Sequence, residues 1–133
     1  MPAPIFDRTA LKTKPLCQRT HDLSRDVVLD LETPAPFEHQ EALQSVAENI
    51  VRAKKEGSSA VMMMGGHVIR SGVQKYIIDL MARGYISCLA MNGSGVIHDF
   101  ELALIGAITE SVARYIKTGE FGLCHETGCL MIS

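Results

Sequence analysis

Val61-Met-Met-Met-Gly-Gly-His-Val-Ile-Arg-Ser-Gly72 is the stretch that decides how this chain folds. Its uninterrupted apolar run suits a strand covered on both faces rather than one alternating between core and water. The two glycines then allow a tight turn, and the residues after them read as entry into a helix. A second passage repeats the arrangement: Cys88-Leu-Ala-Met-Asn-Gly-Ser-Gly-Val-Ile-His-Asp99 places small residues between an apolar strand and a helix. Two parallel strands whose carboxyl ends carry such turns form a ligand-binding edge in an open α/β sheet. The expected fold class is therefore α/β, a Rossmann-like three-layer domain with a small, mostly parallel sheet.

Outward from these junctions, periodicity places the remaining elements. Ala42, Leu43, Val46, Ala47, Ile50 and Ala53 recur at three- and four-residue spacing and predict a helix from Phe37 to Glu56. Arg52, Lys54 and Lys55 suit its carboxyl end, with Gly57 as the stop. The first strand is expected over Ser59–Met64. A helix follows, capped by Ser71 and carrying Val73, Tyr76, Ile77, Leu80 and Met81 on one face up to Gly84. The second strand is expected over Tyr85–Met91, with Cys88 a buried free thiol. A further helix begins around Ile97–Asp99 and is interrupted by Gly106. Thr109 caps a shorter one ending near Gly119, and the remainder is a loop with a short apolar end. Val27–Leu31 is a candidate strand. Residues 1–35, broken by Pro2, Pro4, Pro15 and Pro34, read as an extended N-terminal arm; 36–133 reads as a single nucleotide-binding-like domain, whole or part of a larger fold.

With 133 residues, 47% apolar and 21% charged, the chain has enough for one modest core. A formal charge of -2 gives no electrostatic case for nucleic acid or an acidic membrane surface. No apolar run is long enough for a membrane span, and Cys17, Cys88, Cys124 and Cys129 do not read as a disulfide framework. A cytoplasmic protein is the expectation. So small a parallel sheet leaves edges unpaired, which predicts a homo-oligomer.

The candidate binding residues gather at the two junctions. Gly93, Ser94 and Gly95 follow a strand and precede a helix, where backbone N–H groups can hold a phosphate; the alternative is a tight structural connection. His67 either donates to a ligand or pins the glycine turn. Ser71 offers a second anion contact or only a cap. Asn92 either bonds a ligand or supplies the left-handed turn that Asn-Gly favours. His98, Asp99 and Glu101 form the densest polar cluster. His98 shares a helical face with Glu101, and Asp99 either orients a ligand or complements a helix dipole. Cys124-His-Glu-Thr-Gly-Cys129 holds metal-binding residue types but no complete local ligand set.

From His67 to Leu104 the chain resembles deoxyhypusine synthase and its relatives, whose core is a dinucleotide-binding α/β domain. His67-Val-Ile-Arg-Ser-Gly-Val73 is similar to the family's Asn-x-Ile-x-Ser-Gly-Val segment, and Gly93-Ser-Gly-Val-Ile-His-Asp-Phe100 to its Ala-Gly-Gly-Val-Glu-Glu-Asp-Phe segment. The resemblance implies that His67 and Ser71 approach the cofactor, that Ser94 and Gly95 stand where the family has glycines, and that Asp99 is matched. Ile97 and His98 replace its paired glutamates. The region that carries the family's catalytic lysine has no counterpart in this sequence. What the resemblance implies is an NAD-binding protein without complete deoxyhypusine synthase activity. A non-enzymatic oligomeric structural module is the alternative, and a metal-dependent hydrolase using His67 or His98 with His125 the third reading.

Overall fold

A computed structural model of the chain describes residues 5, 7, 10–32 and 40–130. Helix and strand are mixed, and the element order follows the alternation expected from the sequence. An N-terminal segment carries a 3-10 turn at Leu16–Gln18, the two-residue strand β1 (Leu23–Ser24) and a second 3-10 turn at Arg25–Val27. Then come α1 (Gln40–Lys55), β2 (Val61–Met64), α2 (Gly66–Arg70), α3 (Gln74–Ala82), β3 (Cys88–Met91) and α4 (Gly93–Ile105). The chain continues through β4 (Ala107–Ile108), α5 (Val112–Thr118) and α6 (His125–Leu130).

The decisive pair behaves as its sequence dictates. β2 and β3 are parallel, with Val61 opposite Cys88 and Met64 opposite Met91. That register puts both β-to-α junctions at the same end of the sheet. It is a two-stranded sheet, and β1 and β4 form a separate antiparallel pair. Side chains alternate across a pleat, so Val61 and Met63 share the face that carries Cys88 and Ala90. Met63 is 82% exposed and Cys88 is also exposed. The expectation of a buried Cys88 thiol is corrected by this face, on which Val61, Met63 and Cys88 are all exposed.

Several local expectations change for identifiable reasons. Gly93, Ser94 and Gly95 are the first turn of α4 rather than a loop before it, because Asn92 caps the helix by accepting the Gly95 N–H at 3.1 Å. Glycine is tolerated there since first-turn amides have no intrahelical acceptor to lose. The helix after β2 likewise starts at once, at Gly66. Ser71 is therefore its C-cap, not an N-cap, and its hydroxyl donates to Val68 O at 2.8 Å. Thr109 does not cap α5; Ser111 occupies that position. Val27–Leu31 forms no strand, its start being the second 3-10 turn. The C-terminal loop contains α6. The break expected at Pro34, the helix start at Phe37 and the apolar end at 131–133 lie outside the described residues.

The N-terminal segment is no loose arm where it is described. It is tied along the second half of the chain: Lys14 bridges Cys124, Leu16 N–H donates to Glu126 at 2.7 Å, and Thr20 N–H donates to Tyr115 Oη at 2.8 Å. Asp22 N–H then donates to Thr109 O at 3.1 Å, and Arg25 N–H to Gly106 O at 2.8 Å. At its end Leu29 N–H meets Gly72 O at 2.8 Å. Gly72 has φ +79, and a Cβ there would run into the Val27 carbonyl, its carbon only 2.8 Å away. The buried apolar residues are correspondingly spread along this seam, with Leu16, Ile69, Ile108, Tyr115 and Cys124 among them.

Candidate functional site

Gly65, Gly66 and Gly95 bring the two junctions together. A Cβ on Gly66 would lie 2.7 Å from His98 Cδ2 and collide with Ser94 Oγ, one on Gly65 would crowd Asn92 Nδ2 at 3.2 Å, and one on Gly95 would only reach ordinary contact with Met91 and the Gly65 backbone. Without side chains at these points α2 can lie directly against α4. The sequence reading of close backbone approach thus applies, but between two helices as well as toward any ligand.

Beside this crossing opens a cleft of about 750 Å³. Arg70 of α2 and Gly93, Ser94 and His98 of α4 line it on one side. The Gly93 and Ser94 N–H groups lie at the positive end of a 13-residue helix and have no acceptor among the described residues. Of the other residues expected at the site, His67 is exposed on α2. Asn92 and the Gly95 amide are engaged with each other in the cap, Ser71 is tied up as the C-cap of α2 and is off the cleft wall, and Asp99 is exposed and also off it.

Deeper in, the cleft meets a polar cluster that the sequence does not announce. Arg19, from the N-terminal segment, forms an ion pair with Glu101 of α4, and the two side chains are 8% and 2% exposed. Arg19 Nη1 also donates to Cys124 Sγ at 3.3 Å and stands 3.8 Å from Glu110 Oε1, while its Nε donates to His21 Nε2 at 3.1 Å. Thr127 donates to the second Glu101 oxygen at 2.9 Å. Glu110 Oε1 accepts the Gly122 N–H at 2.8 Å. One guanidinium thus faces two nearly buried carboxylates, the Glu110 side chain being 7% exposed.

The electrostatics follow from burial and neighbours. Burial disfavours the charged Arg19, but the hydrogen bond and attraction from Glu101 outweigh it and raise its pKa. Burial lowers the His98 pKa, and Arg70, Arg19 and His67 push it further down against the pull of Glu101. His98 is therefore neutral near pH 7, and its Nδ1 has no hydrogen-bond partner among the described residues. Burial raises the Cys124 pKa, which makes its thiol a poor nucleophile. Thr109 combines two departures from the ordinary. It is a β-branched residue at φ 61, a placement costing roughly 1–3 kcal/mol, and its buried Oγ1 is unpartnered among the described residues.

Arg19, Thr109 and Glu110 escaped sequence reasoning because their significance is entirely long-range. Glu101 left a trace: it is the one acid inside Phe100-Glu-Leu-Ala-Leu-Ile105, where an unpaired carboxylate would be expensive. Among the described residues no three histidine, cysteine or acidic side chains are grouped to hold a metal ion. No described helix is long and apolar enough to cross a membrane. Comparison with known proteins leaves the site to be read from its own geometry: no family model, no curated protein and no solved structure matches this chain.

Proposed function

We propose that this chain binds a nucleotide-containing ligand, NAD before others, with the ligand's phosphates at the first turn of α4. The observation that carries the reading is the parallel register of β2 and β3, which puts both β-to-α junctions at one sheet end beside the cleft. Gly93 and Ser94 supply N–H donors there, the helix dipole favours an anion, and Arg70 adds a formal positive charge. Neutral His98 supplies a directional hydrogen-bonding group rather than a second charge.

In this proposal the pair β2–β3 is the centre of a Rossmann-like three-layer arrangement, and the chain is a relative of deoxyhypusine synthase without that enzyme's complete activity. The layer over Val61 and Met63 comes from a second copy of the chain, so the protein is a homo-oligomer. The exposure of those two residues also favours a second reading, a structural module whose glycines serve helix packing alone.

Calorimetric titration with NAD, ADP-ribose and ATP separates the two. The binding reading expects saturable heat with NAD or ADP-ribose, reduced at least tenfold in affinity by Gly93→Glu. A Cβ at Gly93 meets nothing within 4 Å, and a carboxylate suits a helix N-terminus, so the variant folds while repelling an anion. No heat from the folded wild-type protein with any of the three leaves the structural module standing.

A further inference from the structure

The cleft has a second pole, and its chemistry differs from the first. Glu101 lies eight residues along α4 from Gly93, about 12 Å at helical rise. It is one of two nearly buried carboxylates that share a single guanidinium, the other being Glu110. Glu101 is satisfied on both oxygens, by Arg19 and by Thr127. Glu110 is not: Oε1 holds the Gly122 N–H, and Oε2 has no partner among the described residues. Next to it in the chain, Thr109 is 9% exposed and lines the cleft, its hydroxyl unpartnered among the described residues. The buried Thr109 hydroxyl is costly to leave unpaired, and Glu110, lining the same cleft beside it, has a carboxylate oxygen to offer an incoming donor.

We propose that Glu110 and Thr109 form a subsite for a vicinal diol, the ribose hydroxyls of a nucleotide whose phosphates rest on the first turn of α4. The proposal rests on the nucleotide-binding reading and adds the part of the ligand that the inner pole recognises. Adjacent hydroxyls donate to the carboxylate, which accepts at both oxygens, and Thr109 Oγ1 completes the set directly or through one water. A neutral donor suits the position better than a cation, because the Arg19 guanidinium already stands 3.8 Å from Glu110 Oε1 and repels a second positive charge. The same carboxylate disfavours a phosphate at this pole, so the two poles fix the direction in which the ligand lies.

The test compares inorganic pyrophosphate, ADP and 2′,3′-dideoxy-ADP as calorimetric probes of the full chain. The diol subsite expects ADP to bind on the order of tenfold more tightly than the dideoxy analogue. Thr109→Gly removes the hydroxyl while leaving a residue at ease with positive φ, and Glu110→Gln keeps an oxygen for Gly122. Both variants are expected to shrink the ADP preference without changing pyrophosphate affinity. Pyrophosphate binding with ADP and its dideoxy analogue equal in affinity overturns the diol subsite and leaves the anion site intact. Absence of binding by all three probes overturns both.

Discussion

The two sides of this molecule are held by different forces. Along the seam between the N-terminal segment and α4 to α6, segments distant in sequence are joined by backbone hydrogen bonds and a nearly buried ion pair. Around the parallel pair the ladder joins β2 to β3 and α2 lies against α4, but the outer faces stay open. α1 contributes no fully buried residue, and Leu43, Val46, Val61, Met63 and Ile78 remain at least 48% exposed. The contrast teaches that the strongest sequence signal marks the least enclosed part of the fold. A continuous apolar strand announces itself, yet its burial depends on partners that its own residues do not specify. The seam is inconspicuous in sequence but pairs its backbone groups and the Arg19–Glu101 charges internally, leaving the Thr109 hydroxyl without a partner among the described residues.

The largest expected effect comes from breaking the seam at its centre. Glu101→Ala leaves the Arg19 guanidinium buried without its main partner and is expected to cost about 3–5 kcal/mol, read by urea unfolding. Arg19→Met combined with Glu101→Leu removes both charges and should recover most of that loss. Unfolding of the single variant at the wild-type midpoint would mean that solvent reaches the pair. Gly72→Ala tests where the N-terminal segment is anchored. It forces a side chain into left-handed backbone and against the Val27 carbonyl, for a combined loss of roughly 2–4 kcal/mol by the same measurement. Limited proteolysis should then cut first within residues 14–30. The smallest change belongs to the other side. Met63→Lys is expected to alter stability of the monomer by no more than about 0.5 kcal/mol, since the side chain is already 82% exposed. Native mass spectrometry gives the sharper answer: loss of a larger species in the variant supports a second copy on that face. An unchanged mass distribution removes it.

Much of the secondary structure was legible because it is governed by local rules. The apolar runs place β2 and β3 within their expected spans, and the three- and four-residue spacing in α1 fits its helix. Where boundaries moved, a cap was responsible. Asn92 starts α4 four to six residues earlier than apolar periodicity alone implies, because a single side-chain oxygen satisfies the Gly95 amide. The same shift turns Gly93 and Ser94 from loop residues into first-turn donors. Ser71 moved from the start of one helix to the end of another because Gly66 permits helix immediately after the strand.

By itself the sequence determined the alternation of helices with two apolar strands, and the small residues that let their junctions approach. Those depend on backbone conformation and on spacing along the chain. Tertiary structure alone decided that Arg19 reaches Glu101, that Glu110 and Thr109 share a wall with the first turn of α4, and that Cys88 faces outward. Charges 82 positions apart in sequence become neighbours only when the intervening chain has folded, and no local propensity encodes that meeting.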